Sequence, residues 1–176
     1  MYGFENETYL SVLNGAVNNI PKIAEVVDQA YAKGYDNVFL VGTGGTYSMV
    51  SPLAYMLKTN STVEWYYEIA AELVAAKPKK LSDRSLLITA SLSGTTKETI
   101  AAAEYAKSVG AQVISFVGEE DCPLGAASTY VIANAASNDN LVEDMYIHMF
   151  ALGALIMKKN GEFPELSLIH ISEPTR

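Results

Sequence analysis

Residues 86–100 read LLITASLSGTTKETI and carry three different signals in succession. Residues 86–89 form an apolar run without a break, which is typical of a strand buried on both faces. Hydroxyl side chains then surround a glycine, and helical spacing begins near Thr96 and continues to Val109. A strand that leads through a polar loop into a helix is the repeating unit of open α/β proteins, which bind ligands at the carboxyl ends of their strands.

The rest of the chain continues this alternation. Short apolar runs predict four further strands, at residues 38–41, 63–67, 113–117 and 130–133. Helical spacing predicts helices at residues 8–33, 46–58, 69–76 and 141–159, with a short turn after Pro123. Pro21 is expected to divide the first helical segment, and Gly34 is expected to end it. The sequence therefore predicts a single domain at 1–165, a three-layer αβα sandwich with a five-stranded parallel sheet in a flavodoxin-like arrangement.

Composition and charge exclude several classes of protein. The chain of 176 residues has 12 basic and 20 acidic side chains, a net charge of −8, which disfavours nucleic acids and anionic membranes as partners. Its single cysteine, Cys122, cannot form an internal disulfide, and His148 and His170 are too few for a metal site, so we expect no metal and no other cofactor. No secretory signal and no long apolar segment is found, and we expect a cytoplasmic protein.

The last eleven residues, 166–176, differ in character from the rest of the chain. They read LSLIHISEPTR and resemble the in-frame translation of a transposase sequencing adapter. We interpret them as a non-native tail, and a native short strand is the alternative. On the first interpretation we expect the natural chain to be interrupted at or before Glu165.

The loop after the first predicted strand reads GTGGTYS from position 42. Gly44 and Gly45 allow a ligand to approach the backbone, and Thr46 and Ser48 place hydroxyls at the start of the next helix, so these four residues are predicted to contact substrate. A dinucleotide-binding fingerprint would need glycine where Tyr47 stands, and a Walker phosphate loop would need a following Gly-Lys-Ser/Thr. A tight turn before a capped helix remains the alternative.

The loop at 91–96 gives a stronger signal. Free backbone N–H groups at the start of a helix carry a partial positive charge, and Ser91, Ser93, Thr95 and Thr96 add hydroxyl donors around Gly94. Together they predict a site for an anion such as a phosphate group. The alternative is that Thr96 simply caps the helix and no ligand binds.

These two loops, the helical lead-in and the last helix resemble the SIS (sugar isomerase) domain over nearly all of residues 1–165. The Ser-x-Ser-Gly-x-Thr loop is the specific motif, and the greatest similarity is to fructosamine-6-phosphate deglycases of the fructoselysine and glucoselysine 6-phosphate type. The resemblance implies that Ser91, Ser93 and Thr96 bind a sugar phosphate, with Thr46 adding a hydroxyl. Leu92 stands where the glucosamine-6-phosphate synthase branch has glutamine, which disfavours synthase activity.

The resemblance also implies an incomplete enzyme. Such enzymes carry two SIS domains, with the general-base glutamate and the ring-opening histidine in or next to the second. We therefore expect residues 1–165 to be an N-terminal half that binds a phosphorylated sugar or fructosamine but lacks the catalytic acid and base. The alternatives are a sugar-phosphate sensor module of a regulatory protein and a complete single-domain isomerase. The carboxylates expected nearest the crevice are Glu68, Glu72, Glu143 and Asp144.

The predicted last helix is apolar on two sides. One side carries Met145, Met149, Leu152, Leu155 and Ile156, and the other carries Val142, Tyr146, Phe150 and Ala154. Because only one side can face the sheet, the other is expected to meet a second domain or subunit, most simply in a homodimer. His148 is predicted to be packed in the interior or at an interface, and Cys122 to be a small buried hydrophobic residue. Tyr66 and Tyr67 are predicted to fill the strand and an interface.

Overall fold

The computed structural model describes residues 6–136 and 141–162. Helices and strands alternate through the chain in the order α1(Asn6–Asn18), α2(Ile20–Lys33), β1(Asn37–Gly42), α3(Gly45–Met49), α4(Ser51–Asn60), β2(Glu64–Ile69), α5(Ala70–Ala76), β3(Ser85–Ser91), α6(Lys97–Ser108), β4(Gln112–Val117), α7(Pro123–Ala127), β5(Tyr130–Ala133) and α8(Leu141–Lys159). All five strands are parallel and form one sheet in the order β2-β1-β3-β4-β5. The predicted fold class is confirmed.

Helices cover both faces of the sheet because its central strands are apolar on both sides. Every residue of β1, β3 and β4 is buried. Successive side chains of a strand point to opposite faces, so Val38 and Leu40 pack with α2, α4 and α8, whereas Phe39 and Val41 pack with α5, α6 and α7. The continuous apolar runs in the sequence therefore correspond to two separate cores.

Most element boundaries agree with the sequence predictions. The lead-in segment is divided next to Pro21, and Gly34 ends α2 with a positive φ of 86°. The predicted helix at 46–58 is wrong in one respect, because it consists of the short α3 and the longer α4, with Val50 between them. Pro52 lies in the first turn of α4, where its missing N–H costs no helical hydrogen bond and a helix readily begins.

Within the described part of the chain, no helix is long and apolar enough to cross a membrane. The segment predicted to be a non-native tail, 166–176, lies outside the described residues.

Candidate functional site

The two loops singled out in the sequence lie side by side. β1 and β3 are neighbours in the sheet, with Val41 in register with Thr89, so both loops leave the same edge. A hydrogen bond of 3.2 Å between the hydroxyls of Thr43 and Thr99 connects the first loop to the helix that follows the second. The predicted meeting of the two loops at the carboxyl ends of the strands is thus confirmed.

Two hydroxyl pairs shape the loop at 91–96. Ser91 and Thr96 are hydrogen bonded through their side chains at 3.0 Å, and Ser93 and Thr95 at 2.8 Å. Gly94 makes the turn between them with a φ of +63°, and its N–H donates to the Ser91 carbonyl at 3.1 Å. Ser91 is buried, whereas Ser93 and Thr95 are exposed and face the surrounding space.

The start of α6 lacks the side-chain cap that the sequence allowed. Thr96 occupies the N-cap position, but its side chain makes no capping hydrogen bond and instead contacts Ser91. The Thr96 side chain therefore does not cap the helix, and ligand binding at this loop stays a prediction. The first N–H groups of this twelve-residue helix keep their partial positive charge beside the hydroxyl pairs, an arrangement that suits an oxyanion.

A cleft of about 410 Å³ opens beside this loop, on the side of β4. One wall is formed by the loop itself and the other by the segment that follows β4, with a short stretch after β5 closing the end; the lining residues are Leu92, Ser93, Thr95, Gly118, Glu119, Asp121, Cys122, Pro123, Ala135 and Ala136. The sequence analysis missed the acidic residues Glu119 and Asp121. Their position directly after a buried strand was the signal that could have identified them.

Cys122 supports the loop from the opposite wall. The residue is half-buried, packs against the core beside α6 and α7 and borders the cleft, so its prediction as a small buried hydrophobic side chain is correct only in part. Its Sγ accepts a hydrogen bond from the Gly125 N–H at 3.3 Å at the start of α7. The Gly94 carbonyl accepts from the Leu124 N–H at 2.9 Å, so the segment after β4 holds the turn of the loop at 91–96 in place.

The glycine-rich loop is arranged differently from the expectation. A Cβ on Gly42 would lie 2.4 Å from Tyr47 Cα, so this glycine is required by the packing of α3 rather than by a ligand. The Thr46 hydroxyl donates to the Thr43 carbonyl at 3.0 Å and is therefore engaged within its own turn. Gly44 and Gly45 are exposed beside open space.

Ser48 is exposed on α3. None of the four residues predicted in this loop to contact substrate lines the 410 Å³ cleft, and their role stays a prediction.

The rings of Tyr47 and Tyr67 stack with centroids 4.0 Å apart, and the Tyr67 hydroxyl donates to the Tyr47 carbonyl. Burial, with a smaller effect of Tyr47, raises the pKa of Tyr67 to about 12, so this phenol remains a donor that fixes α3 against β2.

None of the four carboxylates expected near the crevice lines the 410 Å³ cleft. Glu68 is half-buried at the end of β2, while Glu72 and Glu143 are exposed on their helices. Asp144 is buried beside His148, which is packed in the interior as predicted. Among the described residues, no three His, Cys, Asp or Glu side chains come together in a group that could hold a metal ion.

Comparisons with known proteins connect this geometry to a family. A family model described as SIS domain matches residues 33–158. Fructosamine deglycase FrlB of Bacillus subtilis (strain 168) is 33% identical over 100 residues, which cover 56% of this chain and 30% of that protein. The isomerizing glutamine–fructose-6-phosphate aminotransferase of Pyrococcus horikoshii is 34% identical over 103 residues, 58% of this chain and 16% of the relative. The matched residues span less than a third of either relative.

Solved structures show the same architecture. A protein of Salmonella typhimurium LT2, described as a candidate phosphosugar isomerase, superposes with a TM-score of 0.78 at 26% identity, covering 84% of this chain and 46% of that one. The C-terminal domain of glucosamine-fructose-6-phosphate aminotransferase from Francisella tularensis also gives 0.78, at 14% identity, covering 96% and 52%. The second similarity is one of fold alone.

Proposed function

The chain belongs to the SIS domain family, and on this premise we propose that it binds a phosphorylated sugar through the loop at 91–96. The observation that carries the proposal is the uncapped start of α6 beside the Ser91–Thr96 hydroxyl pair. A doubly charged phosphate would accept hydrogen bonds from these hydroxyls and from the helix N–H groups. Relatives named for fructosamine and for fructose 6-phosphate support this choice of ligand.

We assign the contacts within the loop by exposure. Ser93 and Thr95 border the cleft, and their hydroxyls would reach the phosphate directly. Ser91 and Thr96 lie deeper in the loop, where they would orient the turn and donate hydrogen bonds to the phosphate from below. Gly94 would contribute through its backbone, because the space that a side chain would fill is taken by Cys122, whose Sγ would lie 2.3 Å from a Cβ at this position. Gly44, Gly45, Thr46 and Ser48 would contact the sugar from the side of β1.

Titration calorimetry with fructose 6-phosphate and with unphosphorylated fructose tests this site. A hydrogen bond to a charged group contributes about 1.5–3 kcal/mol, so Ser93→Ala should weaken binding of the phosphate ester by roughly tenfold or more. Ser108→Ala is the matched control, because Ser108 is an exposed hydroxyl at the opposite end of α6. Unphosphorylated fructose should bind far more weakly than the ester to every variant.

Equal affinities of the wild-type protein and Ser93→Ala would remove Ser93 from the site. Equal affinities for fructose and its phosphate ester would contradict the phosphate-binding role of the loop itself.

We further propose that the ligand is a fructosamine 6-phosphate and that the chain is one half of a deglycase. Glu119 and Asp121 line the wall of the cleft opposite the hydroxyl loop, and their negative charges would attract the amine at the far end of such a molecule. The similarity to a fructosamine deglycase points in the same direction, and only 30% of that protein is matched by this chain. The catalytic acid and base would then lie outside this chain.

An assay for amine release from a fructosamine 6-phosphate tests this part of the proposal. Absence of a positioned acid and base should lower the rate by about 10² to 10⁴, so the protein should bind the substrate and release amine near the background rate. Turnover at ordinary enzyme rates would contradict the half-enzyme proposal and favour a complete single-domain enzyme.

We also propose that the protein forms a homodimer through the exposed side of α8. Val142, Tyr146 and Phe150 lie one turn apart on this helix and are all accessible to solvent. An exposed apolar stripe of this kind favours burial against another copy of the same surface.

A further inference from the structure

A cluster of buried polar side chains lies close to the proposed phosphate site and takes no part in it. Asp144 and His148, one turn apart on the inner side of α8, are 3% and 1% exposed. They meet Asn19, between α1 and α2, and Asn134, which follows β5. Buried polar groups of this kind normally have defined hydrogen-bond partners, and these partners determine where each proton resides.

The hydrogen bonds of Asn19 determine the protonation of His148. Asn19 Nδ2 donates to the Ala133 carbonyl at 3.0 Å and lies 3.3 Å from His148 Nε2. Since a carbonyl can only accept, the atom facing both groups is the amide nitrogen, and its second N–H points to the ring. His148 Nε2 therefore accepts, and the proton of the neutral imidazole is on Nδ1.

The other side of the ring faces a carboxylate. His148 Nδ1 lies 3.5 Å from Asp144 Oδ2, an ion-pair distance longer than a direct hydrogen bond, and it has no hydrogen-bond partner within the described residues. Asp144 Oδ1 accepts from Asn134 Nδ2, which also donates to the Val12 carbonyl at 3.0 Å. The cluster thus connects the lead-in helices and the end of β5 to α8.

Leu92 connects the cluster to the binding loop. A small cavity of about 10 Å³ beside Asp144 and His148 is lined by Leu92, Phe116, Val117, Ile132, Asn134, Leu141 and Met145. Leu92 also borders the 410 Å³ cleft, so its side chain separates the ligand cleft from the buried pair. Within the described residues, the titratable groups lining this cavity are Asp144 and His148, and the other lining side chains are apolar apart from the amide of Asn134.

We propose that Asp144 and His148 are positioning residues, which fix Leu92 and with it the loop at 91–96, and that protonation of His148 weakens ligand binding. This inference rests on the proposed function. A protonated imidazole carries N–H groups on both nitrogens, so Nε2–H would face the N–H of Asn19 and their hydrogen bond would be lost. An unpaired buried donor is costly, and the junction of α1 and α2 would have to move away from α8.

The protonation state can be measured without any ligand. His170→Gln leaves His148 as the single histidine in the full chain, so its ring nitrogens give one unambiguous set of ¹⁵N NMR signals. We expect the Nδ1–H form at neutral pH. An Nε2–H form would overturn the inference directly.

Calorimetry with fructose 6-phosphate at about pH 7.5 and at about pH 5.5 then measures the coupling. His148→Gln is the informative variant, because a glutamine amide can accept from Asn19 and donate to Asp144 but does not titrate. Glu143→Gln, on the exposed side of α8, is the matched control. Titration of the phosphate group itself affects all three proteins equally.

Between about pH 7.5 and about pH 5.5, the affinity for fructose 6-phosphate should fall in all three proteins. The fall in the wild-type protein and in Glu143→Gln should be about fivefold or more larger than the fall in His148→Gln, a difference on the order of 1 kcal/mol. The same loss in all three proteins would overturn the role of His148 while leaving the proposed function intact. Failure of the wild-type protein to bind even at about pH 7.5 would contradict the proposed function, and the positioning role with it. If His148→Gln does not fold, the ¹⁵N signals of the His170→Gln protein with and without fructose 6-phosphate decide the question. Ligand should shift the protonation of His148 to lower pH, and protonation unchanged by the ligand would overturn the coupling.

Discussion

Gly94 is the residue whose conformation the loop at 91–96 depends on most. Its φ of +63° lies in the left-handed region, and a Cβ at this position would lie 2.3 Å from Cys122 Sγ. A side chain here would therefore strain the turn and press against the opposite wall of the cleft. Gly45 in the neighbouring loop differs, because its φ is not positive and the nearest atom to a built Cβ is Met49 Cε at 4.0 Å.

We predict that Gly94→Ala destabilises the protein by about 1–3 kcal/mol and weakens binding of fructose 6-phosphate by roughly tenfold or more. Gly45→Ala should be neutral or should stabilise the protein by up to about 1 kcal/mol, since alanine is the better residue in a helix. Urea unfolding and calorimetry on both variants measure these effects. Unchanged stability and affinity of Gly94→Ala would show that the turn can rearrange freely.

For single residues, the sequence predicted well which side chains lie near the site. It predicted less well which hydrogen bonds each side chain makes. Ser93 and Thr95 border the cleft, as expected for ligand contacts, but Thr46 bonds its own turn and Cys122 is half-buried in the cleft wall. The hydrogen-bond partner of a hydroxyl or thiol depends on which groups the fold places beside it. Residue type and spacing along the chain therefore do not predict that partner.

Among the helices and strands, α6 is the one whose N-terminus bears on ligand binding. Its N-terminus points at the loop, and the Thr96 side chain that could have capped it is bonded to Ser91. A helix start without a side-chain cap gives up stability that a better capping residue would restore. The uncapped end thus supports the proposed phosphate site, because helix stability alone does not account for it.

The variant Thr96→Asp distinguishes helix capping from ligand binding, because it should raise stability and lower affinity. Aspartate is a stronger N-cap and favours the positive end of the helix, so the protein should gain about 0.5–1 kcal/mol of stability. The same negative charge should repel the phosphate and abolish measurable binding of fructose 6-phosphate. Thr96→Ser keeps the hydroxyl and should retain both properties; unimpaired binding by Thr96→Asp would exclude the helix start from the phosphate site.

Element boundaries were well predicted where hydrophobic pattern alone decides them. The bounds of β5 and α8 agree with the sequence prediction, because each begins and ends with a clear change in pattern. The division at Val50 was missed, since the apolar spacing continues across it and Pro52 is compatible with either arrangement. The wall of the cleft after β4 was also missed, because it depends on how the segment at 118–123 crosses over the loop.

For the whole molecule, the two sides of α8 have different environments. Met149 and Leu152 are fully buried against the sheet, whereas Tyr146 and Phe150 are 41% and 51% exposed. Leu10 and Val17 of α1 are also largely exposed. The second apolar side expected from the sequence is thus present and is not covered within the described part of the chain.

We predict that the purified protein self-associates through this side of α8. Size exclusion with light scattering at tens of micromolar should give a dimer or larger species instead of a 19.0 kDa monomer. Phe150→Glu should shift the protein toward monomer, because it places a charge in the apolar stripe, whereas Glu143→Gln on the same helix should not. A soluble wild-type monomer at these concentrations would contradict the homodimer proposal.

The chain contains one thiol, and the fold places it in the wall of the ligand cleft against the turn at Gly94. An environment-sensitive fluorophore coupled to Cys122 would therefore label the protein at a single defined position, without removal of competing cysteines. Ligand entering the cleft would displace solvent from the dye and change its emission. If the loop at 91–96 binds a sugar phosphate as proposed, the sequence already provides the attachment point for an optical sensor of that ligand, in which Ser93→Ala serves as the low-affinity reference.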